Sequence, residues 1–179
     1  MAAMRRKCFL SYHHADQDAV DTFVRNFDHS HDAFIARGLG QEMAQDIIDS
    51  TDTDYVMRRI REVYVRDSSV TLVMIGRCTW ARRYVDWEIQ ASLRHSDQTL
   101  PNGLLGVKLP SYANGAFPDR FNKNLKQEGQ ADCYARHMPY PSSSDDLWAA
   151  IEAAHQRRTT HRHLLVSPRE RFTYNRQCV

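Results

Sequence analysis

The stretch Ser68–Ile89, SSVTLVMIGRCTWARRYVDWEI, decides how this chain folds. Its first half, Val70–Ile75, is aliphatic and β-branched in the manner of a strand buried on both faces. Gly76 then lets the chain turn sharply at the carboxyl end of that strand. From Trp80 to His95 the spacing predicts a helix. At about 100° per residue, Trp80, Tyr84, Trp87 and Ala91 fall on one stripe, and Val85, Ile89 and Leu93 fall nearly opposite. Glu88 lies on the border between the stripes. A carboxylate there is partly desolvated and held in one orientation, which is what an acid that must meet a ligand requires.

Toward the N-terminus, Lys7–Tyr12 (KCFLSY) has the short, apolar character of a first, central strand. His13, His14 and Ala15 form a polar turn. Asp16 is placed to cap a helix whose apolar positions Val20, Phe23, Val24 and Phe27 keep i, i+3, i+4, i+7 spacing. Asp32–Ala36 reads as a weaker second strand, Gly38 and Gly40 as a loop, and Glu42–Asp49 as a short helix. The capping residues of Ser50–Asp54 introduce a helix with Val56, Ile60, Val63 and Tyr64 on one side and Arg58, Arg59 and Arg61 on the other.

On the C-terminal side, Leu104–Leu109 is another buried strand, stopped by Pro110. A long Gly-, Asn- and Pro-rich loop extends to about Ala131, and its length marks it as functional or mobile. Cys133–Arg136 is a short edge strand, and Ser142–Asp145 caps a helix that buries Leu147, Trp148, Ile151 and Ala154. Strands alternating with helices imply an α/β fold: a flavodoxin-like, doubly wound parallel sheet of about five strands flanked by helices. Ligands of such folds bind beyond the carboxyl ends of the strands, where strand order reverses. That rule brings Ser11, Tyr12, His13 and Glu88 toward one crevice.

At 179 residues the chain has room for one domain with a full core. The expected division is a domain over 1–156 and a basic tail over 157–179 that packs on it or extends from it. A net charge of +2 gives no argument for nucleic acid. No segment has the ~18 uninterrupted apolar residues of a membrane span, and no signal peptide is indicated, so a cytoplasmic location is expected. Cys8, Cys78, Cys133 and Cys178 are scattered and are expected to be reduced, mostly structural thiols. His29-x-His31 and His161-x-His163 lack further ligands nearby, so no metal is expected.

Three segments, KCFLSYHHADQD (Lys7–Asp18), Ser68–Ile89 and DDLWAAIEAA (Asp145–Ala154), give the chain a resemblance to TIR-like domains. It more closely resembles the ThsB-type members found in bacterial Thoeris anti-phage defence. The resemblance implies cleavage of NAD between nicotinamide and ribose, with NAD as substrate and no resident cofactor. It further implies a cyclic ADP-ribose signalling product, a phage-derived trigger, a downstream ThsA-like effector, and scope for homo-oligomers. Its catalytic glutamate falls on Glu88, and the facing loop falls on Ser11, Tyr12 and His13. Arg77, with Arg82 and Arg83, is close enough in sequence to neutralise pyrophosphate. Cys78 shares that loop, and Trp80, Tyr84 and Tyr12 offer rings for the site. Against those roles, Ser11–His13 read equally as a strand end, and Trp80 and Trp87 as core aromatics. Where ordinary TIR domains carry Trp-Cys-x-x-Glu, this chain has Tyr84-Val85-Asp86-Trp87-Glu88.

Two relatives of the fold are excluded by residues. A classical dinucleotide-binding domain needs G-x-G-x-x-G after its first strand, and Ser11–Asp16 holds no glycine. A phosphoacceptor receiver domain needs an aspartate ending its central strand, where this chain has Gly76-Arg77. A TIR-like module that binds nucleotide or protein without turnover is the remaining alternative to the enzyme.

Overall fold

A computed structural model describes residues 5–29, 34–37, 50–113 and 115–179. Five strands form one parallel sheet: β1 (Arg6–Ser11), β2 (Phe34–Arg37), β3 (Val70–Ile75), β4 (Gly103–Lys108) and β5 (Arg136–Met138). Their order is β2-β1-β3-β4-β5, the flavodoxin-like order, with the reversal between β1 and β3. All six residues of β3 are buried, as befits a central strand covered on both faces. The second strand lies at Phe34–Arg37 against the expected Asp32–Ala36. The last lies at Arg136–Met138, just beyond the expected Cys133–Arg136. The helix expected at Glu42–Asp49 and the loop at Gly38–Gly40 lie outside the described residues.

One face of the sheet is covered by α1 (Gln17–Val24) and α5 (Ser144–Thr160). Val20, Phe23 and Val24, with Phe27 in the wider turn that follows, pack there on Leu10, Leu72 and Met74 beside Leu147 and Ile151. Ser143 caps α5 by accepting from the Asp146 amide at 3.1 Å. Asp16 does not cap α1 with its side chain, contrary to the sequence reading. Its carboxylate instead accepts from Ser111 Oγ at 2.8 Å and lies against Gly76, where an added Cβ would stand 2.1 Å from it. The missing Cβ of Gly76 is what leaves room for the Asp16 carboxylate in this position.

The other face is covered by α2 (Thr53–Arg59, continued by a wider turn to Val65) and α3 (Arg83–Leu93). Asp52 caps α2, accepting from the amides of Asp54 and Tyr55. The two stripes of α3 enter two separate clusters. Tyr84, Trp87 and Ala91 join Phe9, Val56, Met57 and Ile60, while Val85, Ile89 and Leu93 join Val73, Ile75, Leu104, Phe121 and Tyr134. The helix starts three residues later than expected. Thr79–Ala81 form a tighter 3-10 turn and Arg82 is extended, because the Thr79 hydroxyl is held by the Gly76 amide at 2.9 Å. The long loop after β4 contains a short helix, α4 (Asp119–Asn122).

α5 runs to Thr160, past residue 156, and the chain then returns over the outer side of α3. Arg120 reaches the carbonyls of Pro168 and Glu170, and Asn124 pairs with Val166 through both backbone groups. The Trp87 indole donates to the Phe172 carbonyl at 2.9 Å, and Asp86 accepts from the Phe172 amide at 3.1 Å. The strap ends in a disulfide between Cys78 and Cys178, with Cα atoms 5.7 Å apart. This corrects the expectation that all four thiols are reduced. Two scattered cysteines cannot be paired from spacing, since the fold alone brings positions 100 residues apart together. Cys8 and Cys133 are free and buried.

Candidate functional site

Strand β1 ends at Ser11, whose backbone is in register with Val73 of β3, at the point where strand order reverses. Alternation along the strand sends Phe9 and Ser11 toward α3, and Cys8 and Leu10 toward α1. Glu88, at the middle of α3, projects to the same place. Ser11 Oγ and Glu88 Oε2 are 2.5 Å apart, with the serine fully buried and the glutamate 4% exposed. Burial pushes the Glu88 carboxyl up to about 8, and the Ser11 hydrogen bond opposes that rise without cancelling it. The group is therefore mostly neutral at pH 7 in the unliganded chain, and its charged form is one that a cation placed beside it would favour.

Behind Glu88 the polar chain continues through the helix. Ser92 Oγ donates to the Glu88 carbonyl at 2.8 Å and receives a bond from Thr71 at 2.7 Å, and Asn102 donates to Thr71 at 3.1 Å. This buried network fixes the rotation of α3 over the sheet, and so the direction of the carboxyl. Sequence reading singled out none of its members, because each alone is an ordinary polar residue and only the packing joins them.

The other predicted site residues are dispersed. His13 is buried near the same edge, and its imidazole is pushed down to about 4 by burial, then by Arg82 and His14, against an opposing effect of Asp16. It is thus neutral at pH 7. Tyr12 turns to the opposite face: its ring packs on the α1 cluster and its hydroxyl donates to Gln17 at 2.8 Å. Arg77 is exposed and Trp80 half-buried at the loop. Tyr84 packs in the α2 cluster, edge-on to Trp87 at 5.3 Å and under the Arg83 guanidinium at 4.9 Å. Cys78 is tied into its disulfide and so holds the strap. Among the described residues no group of three or more His, Cys, Asp or Glu side chains is placed to hold a metal. His161 bonds instead to Asp132 at 2.7 Å.

Two residues before Glu88 and on another side of the helix, Asp86 forms with Arg120 an almost fully buried ion pair at 2.8 Å, which also receives the strap. Sequence reasoning missed it, because Arg120 comes from the loop after β4. The family model described as Thoeris protein ThsB, TIR-like domain, matches residues 9–114, more than half of the chain. That span runs from β1 through Glu88 to just beyond β4. No curated protein matches the chain. No helix among the described residues is long and apolar enough to cross a membrane.

Proposed function

The chain belongs to the TIR-like family of the Thoeris protein ThsB, and from that membership we propose that it cleaves NAD and makes an ADP-ribose-derived signal in anti-phage defence. The observation that carries the reading is the buried Glu88–Ser11 pair at the switch point of the sheet. In the reaction, the bond between C1′ of the ribose and the nicotinamide nitrogen breaks, and its electron pair stays with the ring. Nicotinamide leaves neutral and needs no proton, so no second carboxyl acid is required. The demand is to stabilise positive charge on the ribose, which one oriented carboxylate in a desolvated setting can meet.

Glu88 rests mostly neutral, and the cationic nicotinamide ribosyl group favours its ionised form. Substrate binding thus charges the catalytic group, and the Ser11 hydroxyl then donates to the carboxylate and holds it in place. Water as acceptor gives linear ADP-ribose, whereas a nucleophilic atom of the same nucleotide gives a cyclic product. A phage-derived trigger starts the reaction, and the nucleotide product acts on a ThsA-like effector.

The competing reading is a module that binds nucleotide or protein without turnover. The specific observation in its favour is the near-complete closure of Glu88. Mass spectrometry of nucleotides from phage-infected cells separates the two. Wild type is expected to release nicotinamide and accumulate an ADP-ribose-derived product, and Glu88→Gln, at equal protein level, to fall to background. Infected wild-type cells that form no such product would sink the enzymatic reading.

A further inference from the structure

On the flank between α2, the end of α3 and the C-terminal strap lies a cavity of about 880 Å³. Neither Glu88 nor Ser11 lines it. Five guanidiniums do: Arg58 and Arg61 from α2 and its extension, Arg94 from the end of α3, and Arg169 and Arg171 from the strap. Among the described residues two carboxylates line the cavity, and both are compromised as partners. Asp52 is engaged in capping α2, and Asp54, 91% exposed, meets Arg171 at 3.4 Å. Among the described residues the side chains of Arg61 and Arg94 make no hydrogen bond or ion pair. Arg61 is half-buried, and its charge is disfavoured first by burial and then by Arg94, Arg171 and Arg58, with Glu62 opposing. A cluster of guanidiniums of which two, Arg61 and Arg94, lack a carboxylate partner among the described residues lowers its free energy by taking up an anion.

The rest of the lining narrows the ligand. Tyr55 is half-buried there, with the Arg58 guanidinium 6.0 Å from its ring centre, while Met57 and Leu93 lie behind it, closed into the core. A ring beside a cationic wall suits a base joined to phosphate, in a volume typical of small-molecule sites. One phosphate group, at about −1.5 to −2, is less than the surplus of guanidiniums over carboxylates would neutralise. We propose that this cavity is a second ligand site, separate from the Glu88 crevice, built for a free nucleotide bearing a diphosphate. It holds independently of the NAD chemistry, because it shares no residue with Glu88 or Ser11. Two of its arginines arrive only when the strap is docked, so the strap completes the site.

Calorimetry on the intact chain tests this, with ADP and inorganic pyrophosphate as probes and Arg61→Gln and Arg94→Gln as variants. One equivalent of ADP is expected to bind at submillimolar concentration, pyrophosphate more weakly, and each variant to lose about tenfold in affinity, the worth of one charged hydrogen bond. Without ligand, both variants are expected to melt at or above the wild-type temperature, since each relieves repulsion. Lower melting of both would identify structural arginines and overturn the proposal. So would undetectable binding, unchanged affinity in both variants, or a single-stranded oligonucleotide binding far more tightly than ADP. Nicotinamide release in infected cells is expected to survive Arg61→Gln, so failure of this site and failure of the NAD reading are told apart.

Discussion

Glu88 is a carboxyl that the fold keeps neutral at a cost, and the sign of that cost is fixed by its shift. Its folded value, about 8, lies above the ordinary 4.5. Between those values the unfolded chain has lost the proton and the folded chain keeps it, so stability falls as pH rises through that window. The slope is roughly 1.4 kcal/mol per pH unit at most. Glu88→Gln keeps the shape and a hydrogen-bonding group for Ser11 while removing the ionisation. It should therefore raise the melting temperature at pH 8 and leave it nearly unchanged at pH 5, a comparison that calorimetric melting at the two values makes directly. Ser11→Ala removes the one bond that draws the Glu88 value down. If the chain turns over NAD, the rising limb of its pH–rate profile should move to higher pH, with about tenfold loss of rate below it. An unmoved limb would mean that another group sets the profile.

At the scale of elements, α3 owes its position to contacts on three sides: two apolar clusters toward the sheet and the C-terminal strap outside. The strap is held by Asp86 and Arg120 at its middle and by Cys178 at its end. Asp86→Ala would leave the Arg120 guanidinium buried without its partner, which costs about 3–5 kcal/mol, to be read from urea unfolding. The Cys78–Cys178 bond closes a separation of 100 residues, for which chain entropy gives about 4–5 kcal/mol. A reducing agent should thus lower the melting temperature of wild type and leave Cys178→Ser unaffected. Equal response of both proteins would show that the bond contributes no stability.

Across the whole molecule, titratable groups pull stability in opposite directions. His13, pushed from 6.5 down to about 4, binds a proton in the unfolded chain before it does in the fold, so its contribution is lost as pH falls through that range. His137 and His155, also lowered by burial, act with the same sign. Glu152, held down by its bond to Arg6, adds to the loss on the acid side. Above 6.5 the histidines no longer matter, and Glu88 alone among these groups takes stability away up to about 8. The melting temperature should accordingly peak between the two regimes, near neutral or slightly below, and Glu88→Gln should flatten the alkaline side and steepen the rise on the acid side.

The fold was legible wherever the physics is local. Continuous apolar runs mark buried strands, and the two-sided pattern of α3 announces a helix in contact with two clusters. Even the pairing of Glu88 with the end of β1 follows from strand alternation and the switch-point rule. Capping was less secure: Asp16 has the right type and place for α1, yet it spends its carboxylate on Ser111 because Gly76 leaves room for it. Tyr12, adjacent to Ser11, was drawn into the crevice on sequence proximity. A strand's period of two sends it to the other face.

By itself, then, the sequence determined the α/β class, the central strand, the helix of Glu88 and the family, because short-range periodicity and an ungapped motif carry that information along the chain. Only the tertiary structure decided that Glu88 meets Ser11 at 2.5 Å and rests mostly neutral, that Cys78 pairs with Cys178, and that five arginines converge on one cavity. Each of these joins residues from separate elements, and desolvation and proximity between them exist only once the elements have packed.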